Sequence, residues 1–338
     1  MSRPRARRGR KPRPHVEPPP GTAKDAVVLT FEVAPDHAGM RLDRYVQICI
    51  PRLSRTRVQE IVRACAFRPD GTRRMPSDIV REGEIVLLVR ERMIEPEVPL
   101  DFGVLFDDGA VLAIDKPSGL PMHPTATYHR HTLSYQLRER YAGEPYIPAI
   151  AHRLDRETSG VVLCGRTREA ERTLKMAFEA HRMKKSYLAI VRGELEQDQR
   201  TIELAMAPVT SGLHVLMQIR TEGGLSALTE LRVLERRAGH SLVELFPHTG
   251  RQHQLRVHLA AIGHSIVGDK LYGPEREAPF LEYIERGMTL TPELRERLGH
   301  DRQALHAHSV TFAHPTTGEA TTVRSPLPSD LRALWDAL

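Results

Sequence analysis

Apolar positions along this chain recur first at helical and then at strand spacing. In "RLDRYVQICIP", Leu42, Tyr45, Val46 and Cys49 fall on one helical face and Pro51 stops the run. In "SRTRVQEIVRACAF", Ser54 stands where a helix N-cap belongs. Val58, Ile61, Val62 and Cys65 are expected to face inward, with Arg55, Arg57 and Arg63 outward. Strands are expected on both sides of this pair, over Val27 to Val33 and over "EGEIVLLVR", with Gly83 in the turn before the second. From about Val104, strands and helices alternate. "AVLAIDKPSGLPMHP" reads as an apolar strand followed by a turn-rich loop, and "GVVLCGRT" as a buried strand. A helix capped at Thr167 follows, with Ala170, Leu174, Ala177 and Phe178 on one face. After the strand "SYLAIVRG", the strand "SLVELFPHTG" runs into "RQHQLRVHLAAIG", a helix that Gly263 stops. The stretch "PEREAPFLEYIERGMTLTPELRERLGH" reads as a helical insertion.

Composition adds organisation to this pattern. A chain of 338 residues with 40% hydrophobic content can bury one large core, or a core plus a small module. The net charge of +6 is local: residues 1–24 carry eight Arg/Lys against Glu17 alone. Arg41 to Arg92 adds twelve Arg against seven acidic residues, so what remains is mildly acidic. We therefore expect a disordered basic tail over 1–24, a small RNA-binding domain over 25–92, a Pro- and Glu-containing linker over 93–103, and the main domain over 104–338. No apolar run approaches the ~20 residues of a membrane span, and the N-terminus lacks a secretory h-region, so a cytoplasmic protein without a membrane partner is expected. Cys49, Cys65 and Cys164 have no C-x-x-C pairing and suggest neither disulfides nor a thiolate metal site. His253 and His258, five residues apart on the expected helix, would stand about 140° apart and could not face one ion. No metal is expected.

Chemistry concentrates in four loops beside apolar strands: "DKPSGLPMHP", "HRLDRETSG", "KKSYLAIVRG" and "HTGRQHQLRVHL". Singly, each has a plainer reading. Asp155 would be a turn aspartate, Arg251 a solvated arginine at a helix start, Tyr187 a strand residue against the core, and Lys116 a stabiliser of its own loop.

Together and in this order the segments resemble the RluA-type pseudouridine synthases, over nearly everything from Val104 to Asp330. The family's H-R-L-D-x-x-T-S-G is matched by His152-Arg153-Leu154-Asp155 and Thr158-Ser159-Gly160. Its T-G-R-x-H-Q-[IL]-R-x-H is matched from Thr249 to His258, and G-D-x-x-Y-G from Gly268 to Gly273. The first helical pair resembles the αL RNA-binding module first described in a small-subunit ribosomal protein, through Arg41-Leu42-Asp43 and Ser54-Arg55. "ACAFRPDGTRR" departs from that module's G-x-V-x-V-N-G form.

The resemblance implies an α+β fold: a mixed, largely antiparallel curved sheet with flanking helices and a central cleft, behind a small αL domain. It implies that Asp155 is the catalytic aspartate, that Tyr187 covers the target base, and that Arg251 pairs with Asp155. Arg153 would hold the flipped nucleotide or fill its place in the helix. His152, Lys116 and Lys185 are expected as further RNA-binding groups, with Arg41, Arg55 and Arg57 contributed by the αL module. Glu157 and Asp269 read as structural. The expected partner is RNA, with large-subunit ribosomal RNA first by resemblance and transfer RNA second, and a monomer is expected.

The residue types suit the reaction. Pseudouridine formation breaks N1–C1′, turns the uracil and joins C5 to C1′, with no redox step and no external group, so no cofactor is expected. A glycosidase activates a water and uses two carboxylates. An isomerase that keeps its leaving base can use one, attacking C1′ or assisting removal of a ribose proton. Two other readings stand beside this one: an RNA-binding ribosome-assembly factor without chemistry, and a nucleoside or glycoside hydrolase that would release free uracil.

Overall fold

Ser54 begins its helix as the sequence predicts, its Oγ accepting a bond from the backbone N–H of Arg57. The protein is described here from a computed structural model covering residues 19, 21–22, 26–51, 53–90, 95–125, 127–210, 212–213 and 215–338. The basic tail expected over 1–24 lies almost wholly outside the described residues. The chain divides into two units between Ile94 and Glu95.

The first unit contains β1 (Val27–Glu32), α1 (Leu42–Cys49), α2 (Arg55–Cys65), β2 (Ala66–Phe67) and β3 (Ile85–Arg90). Its antiparallel sheet has the order β1-β3-β2. Leu42, Tyr45 and Val46 of α1 and Val58, Val62 and Cys65 of α2 are buried with Val86 and Leu88. Cys49 and Ile61, expected inward, pack only at the margin of this core. Arg74, which the sequence pattern does not single out, is buried and binds Asp78, Glu84 and the carbonyl of Ile79.

The second unit begins earlier than the expected linker allows. Glu95 accepts hydrogen bonds from the backbone N–H groups of His129, Arg130 and His131, which ties residues from 95 onward to this unit. Its elements are β4 (Gly103–Asp107), β5 (Val111–Lys116), α3 (Leu133–Arg140), β6 (Ala149–Ile150), β7 (Ser159–Gly165), α4 (Arg168–Glu179), β8 (Lys184–Arg192), β9 (Gln199–Glu203), β10 (Met206–Pro208), β11 (Met217–Ile219) and β12 (Leu228–Arg237). They continue with β13 (His240–Pro247), α5 (Gln254–Ala261), α6 (Ala278–Glu285), α7 (Pro292–Leu298), β14 (Leu305–Ala313), β15 (Ala320–Arg324) and α8 (Ser329–Ala337).

Ten strands form one sheet with the order β4-β5-β7-β14-β8-β13-β12-β9, to which β6 adds at β7 and β15 at β14. The sheet is mixed and largely antiparallel, as expected, the β7–β14 pair being parallel. Gly160 sits at that junction with φ 109°, and a Cβ there would lie 2.2 Å from the carbonyl oxygen of Ala307. Only glycine fits where β7 leaves the Asp155 loop.

Candidate active site

The loop from Ala151 to Thr158 leads into β7, and side chains from distant segments hold its carbonyls. Lys116, at the end of β5, donates to the carbonyls of Pro117 at 2.7 Å, Leu120 at 2.9 Å and Arg156 at 3.0 Å. Ser118 and Arg302 donate to the carbonyl of Glu157 at 2.9 and 3.2 Å. Gln303 donates to the hydroxyl of Thr158 at 2.7 Å. The carboxylate of Glu157 receives Lys270 at 3.0 and 3.1 Å, so Glu157 is engaged in structure, as expected. With its backbone polar groups partnered in this way, the loop is a fixed platform.

On that platform Asp155 faces Arg256, in the first turn of α5. Nε and Nη2 of Arg256 reach Asp269 at 2.7 and 2.8 Å, and Nη1 reaches Asp155 Oδ2 at 2.9 Å. Asp269 also accepts from the backbone N–H groups of Leu271 and Tyr272, at 2.9 and 3.1 Å. Asp269 thus fixes a planar fork whose remaining edge is aimed at Asp155. Burial, the largest single influence, would raise the Asp155 carboxyl, but its partners together, led by the Arg256 guanidinium and including a side-chain hydrogen bond from Gln303, hold the group below the usual carboxylate range.

The second Asp155 oxygen lies 3.8 Å from His253 Nε2. His253 Nδ1 is paired with the Tyr272 hydroxyl at 2.8 Å, and burial, with Arg256 next, pushes the ring down to about 4. At neutral pH the imidazole is uncharged and leaves the carboxylate to Arg256. A cavity of about 160 Å³ opens beside Asp155, lined also by Tyr187, Lys185, Arg153 and Arg251. Burial, and then the Asp155 charge, push the Tyr187 phenol up, so it stays protonated. Burial lowers Lys185 to about 8, and its Nζ donates to the carbonyl of Thr249 at 3.3 Å.

Comparison with known proteins places this arrangement. Residues 110–261 match the family model described as RNA pseudouridylate synthase. Over 322 residues the chain is 36% identical to a Xanthomonas campestris protein named ribosomal large subunit pseudouridine synthase D, covering 92% of each chain. The chain belongs to the RNA pseudouridine synthase family. A Pseudomonas aeruginosa synthase of the same name is 33% identical over 319 residues, 92% of this chain and 95% of that one. Among solved structures, human RNA pseudouridylate synthase domain containing 1 superposes with a TM-score of 0.53 at 28% identity, over 72% of this chain and 97% of that one.

The geometry of this pseudouridine synthase corrects three sequence expectations. Arg251 does not pair with Asp155. It precedes α5, directs Nε to the carbonyl of Ser226 at 3.1 Å, and leaves the carboxylate to Arg256, five residues on. Lys116 is not an RNA-facing group: it is wholly buried, its three donors face three carbonyls, and burial lowers it to about 7. Nor is His152, whose ring stacks on Phe178 at 4.2 Å while Nε2 accepts the backbone N–H of Leu163. Burial holds that ring neutral, at about 3.

Asp155, Tyr187, Lys185 and Arg153 do come together in the synthase, and Asp269 proves to be the orienter of the arginine. Sequence reasoning missed Arg256, His253 and Tyr272 as site residues. The available signal was Arg256 itself: a charge inside the apolar run "LRVHLAA" must be buried with a partner.

In the first unit of the synthase, Arg41 grips Asp43 through two bonds at 3.1 and 3.2 Å, while Gln59 reaches it at 2.8 Å and Arg55 at 3.6 Å. Arg57 is exposed and pairs with Glu60 at 2.8 Å. Among the described residues no helix is long and apolar enough to cross a membrane.

Proposed function

We propose that this synthase isomerises uridines of large-subunit ribosomal RNA, with Asp155 as the one carboxylate that acts on the ribose. The observation that carries the reading is the asymmetry at Asp155: one oxygen is held by an arginine that Asp269 has already oriented, while the carboxylate borders an open cavity. The names of the relatives support the ribosomal substrate.

A uridine reaches the cavity by leaving its stack, at a cost of about a few kcal/mol in a duplex and less in a loop. Tyr187 covers the uracil, and Lys185 and Arg153 receive the charge of its backbone. N1–C1′ then breaks, the base turns, C5 bonds to C1′, and the proton lost from C5 is balanced by one gained at N1. Asp155 either attacks C1′ or takes a ribose proton. In both routes Arg256 keeps the carboxylate ionised after the base has displaced water. Arg41, Arg55 and Arg57 of an αL-type first unit add contacts to the RNA backbone.

The test is pseudouridine mapping of total RNA with the wild-type protein, without it, and with Asp155→Asn. Large-subunit sites should vanish without the protein and stay absent with the variant, while RNA affinity holds. Sites confined to transfer RNA would move the substrate, release of free uracil would indicate a hydrolase, and unchanged mapping with Asp155→Asn would remove Asp155 from the chemistry.

A further inference from the structure

A second cavity, of about 560 Å³, adjoins the first, and the two share Arg153, Leu154, Asp155, Gln252, His253 and Arg256. Its far wall belongs to the 274–300 segment, through Phe280, Tyr283, Ile284 and Met288. This wall is anchored. Arg297 of α7 binds Glu275 at 2.6 Å and Glu282 at 2.7 Å, and Arg192 of β8 donates to the carbonyls of Arg297 and Leu298 at 3.0 and 2.7 Å. Tyr283 is held by cations, with Lys270 Nζ 5.4 Å and Arg156 Cζ 5.9 Å from its ring centroid. Ile284 lines the cavity yet is 47% exposed, an apolar side chain that the fold leaves in contact with solvent.

Arg153 lies where the two cavities meet and, among the described residues, forms no ion pair. A cation at the junction of a small cavity and a larger aromatic one follows the order of a dinucleotide: base, linking phosphate, base.

We propose that the 274–300 segment forms a compartment for the nucleotide adjoining the target uridine, with that nucleotide's base against Tyr283 and Ile284 and the linking phosphate at Arg153. The segment makes Tyr283 a specificity-determining residue of the synthase. The inference rests on the Asp155 cavity receiving the target uridine, and it concerns binding rather than bond breaking.

The two are therefore tested apart. Asp155→Asn protein is titrated by fluorescence anisotropy with an RNA hairpin that carries a mapped target uridine, and with the same hairpin made abasic immediately 5′ or 3′ of it. One abasic hairpin should bind about five- to a hundredfold more weakly than the intact one. In the Tyr283→Ala background that difference should fall below about twofold, and Tyr283→Phe should restore it. Ile284→Ser, at an exposed position, should show an intermediate loss. Equal penalties in the Asp155→Asn and Asp155→Asn/Tyr283→Ala proteins, or no penalty on either side, would overturn the compartment. Failure of Asp155→Asn to abolish pseudouridine would instead overturn the proposed chemistry and leave these binding results readable.

Discussion

Asp43 and Asp155 both meet arginine, and they do so to opposite ends. Asp43, in the first unit, has every oxygen occupied: Arg41 takes both, Gln59 and Arg55 take one, and the backbone N–H of Arg44 takes the other. It pins α1 to α2 and offers nothing to a ligand. Asp155 makes one close ion pair and faces a cavity, because the saturating role in its neighbourhood has passed to Asp269. The contrast separates a structural carboxylate from one available for chemistry by counting what remains unbonded, a sharper criterion than burial or charge. By that count Asp269 is a positioning residue although only Arg256 stands between it and Asp155.

The strongest test of the contrast is Asp155→Asn, which keeps shape and removes charge. Single-turnover pseudouridine formation should fall by at least about a thousandfold with the unfolding midpoint nearly unchanged. An activity loss of a few-fold would put Asp155 in the same class as Asp43.

Arg256→Met comes next, because it strands two carboxylates that one arginine served. Stability should drop by about 3–5 kcal/mol in urea unfolding, and Arg256→Met/Asp269→Leu should recover much of it without recovering activity. Arg256→Gln also gives a pH signature. With the guanidinium gone, burial dominates and the Asp155 pKa rises, so the acid limb of the rate profile must move to higher pH. An unmoved limb would mean that Arg256 does not control the ionisation of Asp155.

Asp43→Asn should leave single-turnover chemistry at saturating RNA intact and cost about 2 kcal/mol of stability at neutral pH. Asp43 is depressed from 3.8 to about 2, burial opposing and the hydrogen bonds from Arg41, Gln59 and the Arg44 backbone, with the Arg41 charge, together more than offsetting it. Its contribution is therefore present above about pH 4 and lost as pH falls through about 2. The difference between wild type and variant in unfolding experiments should shrink across that window.

The smallest effect is expected at Arg57, which is exposed and paired only with Glu60. Arg57→Gln should change stability by less than about 0.5 kcal/mol and reduce the salt slope of RNA binding by about one. An unchanged slope would remove Arg57 from the RNA contact.

Much of the local structure was legible in the sequence. Ser54 and Thr167 cap the helices they were expected to cap, because a side-chain oxygen before an amphipathic run has one economical use. Asp155, Tyr187 and Lys185 were found through motifs and do share a cavity. Which arginine meets Asp155 was not legible. Arg251 and Arg256 belong to one motif, and the choice depends on where the helix begins. His253 takes a left-handed conformation at the N-cap, with φ 55°, so α5 starts at Gln254 and leaves Arg251 in the loop. Lys116 and His152 misled for a different reason: a polar residue in a glycine- and proline-rich loop looks ligand-directed until the carbonyls or ring that occupy it are known. The parallel β7–β14 pairing joins segments almost 150 residues apart, and no local period encodes it.

That pairing also carries a consequence for biosynthesis. Gly160 lies directly against Ala307, and Arg302 and Gln303 hold the carbonyl of Glu157 and the hydroxyl of Thr158. All of these partners lie in the last 37 residues of the chain. A nascent polypeptide emerging at about 5–20 residues per second carries the Asp155 loop outside the ribosome for several seconds before β14 follows it. Until then the loop lacks one of its walls, and the carboxylate lacks a defined direction.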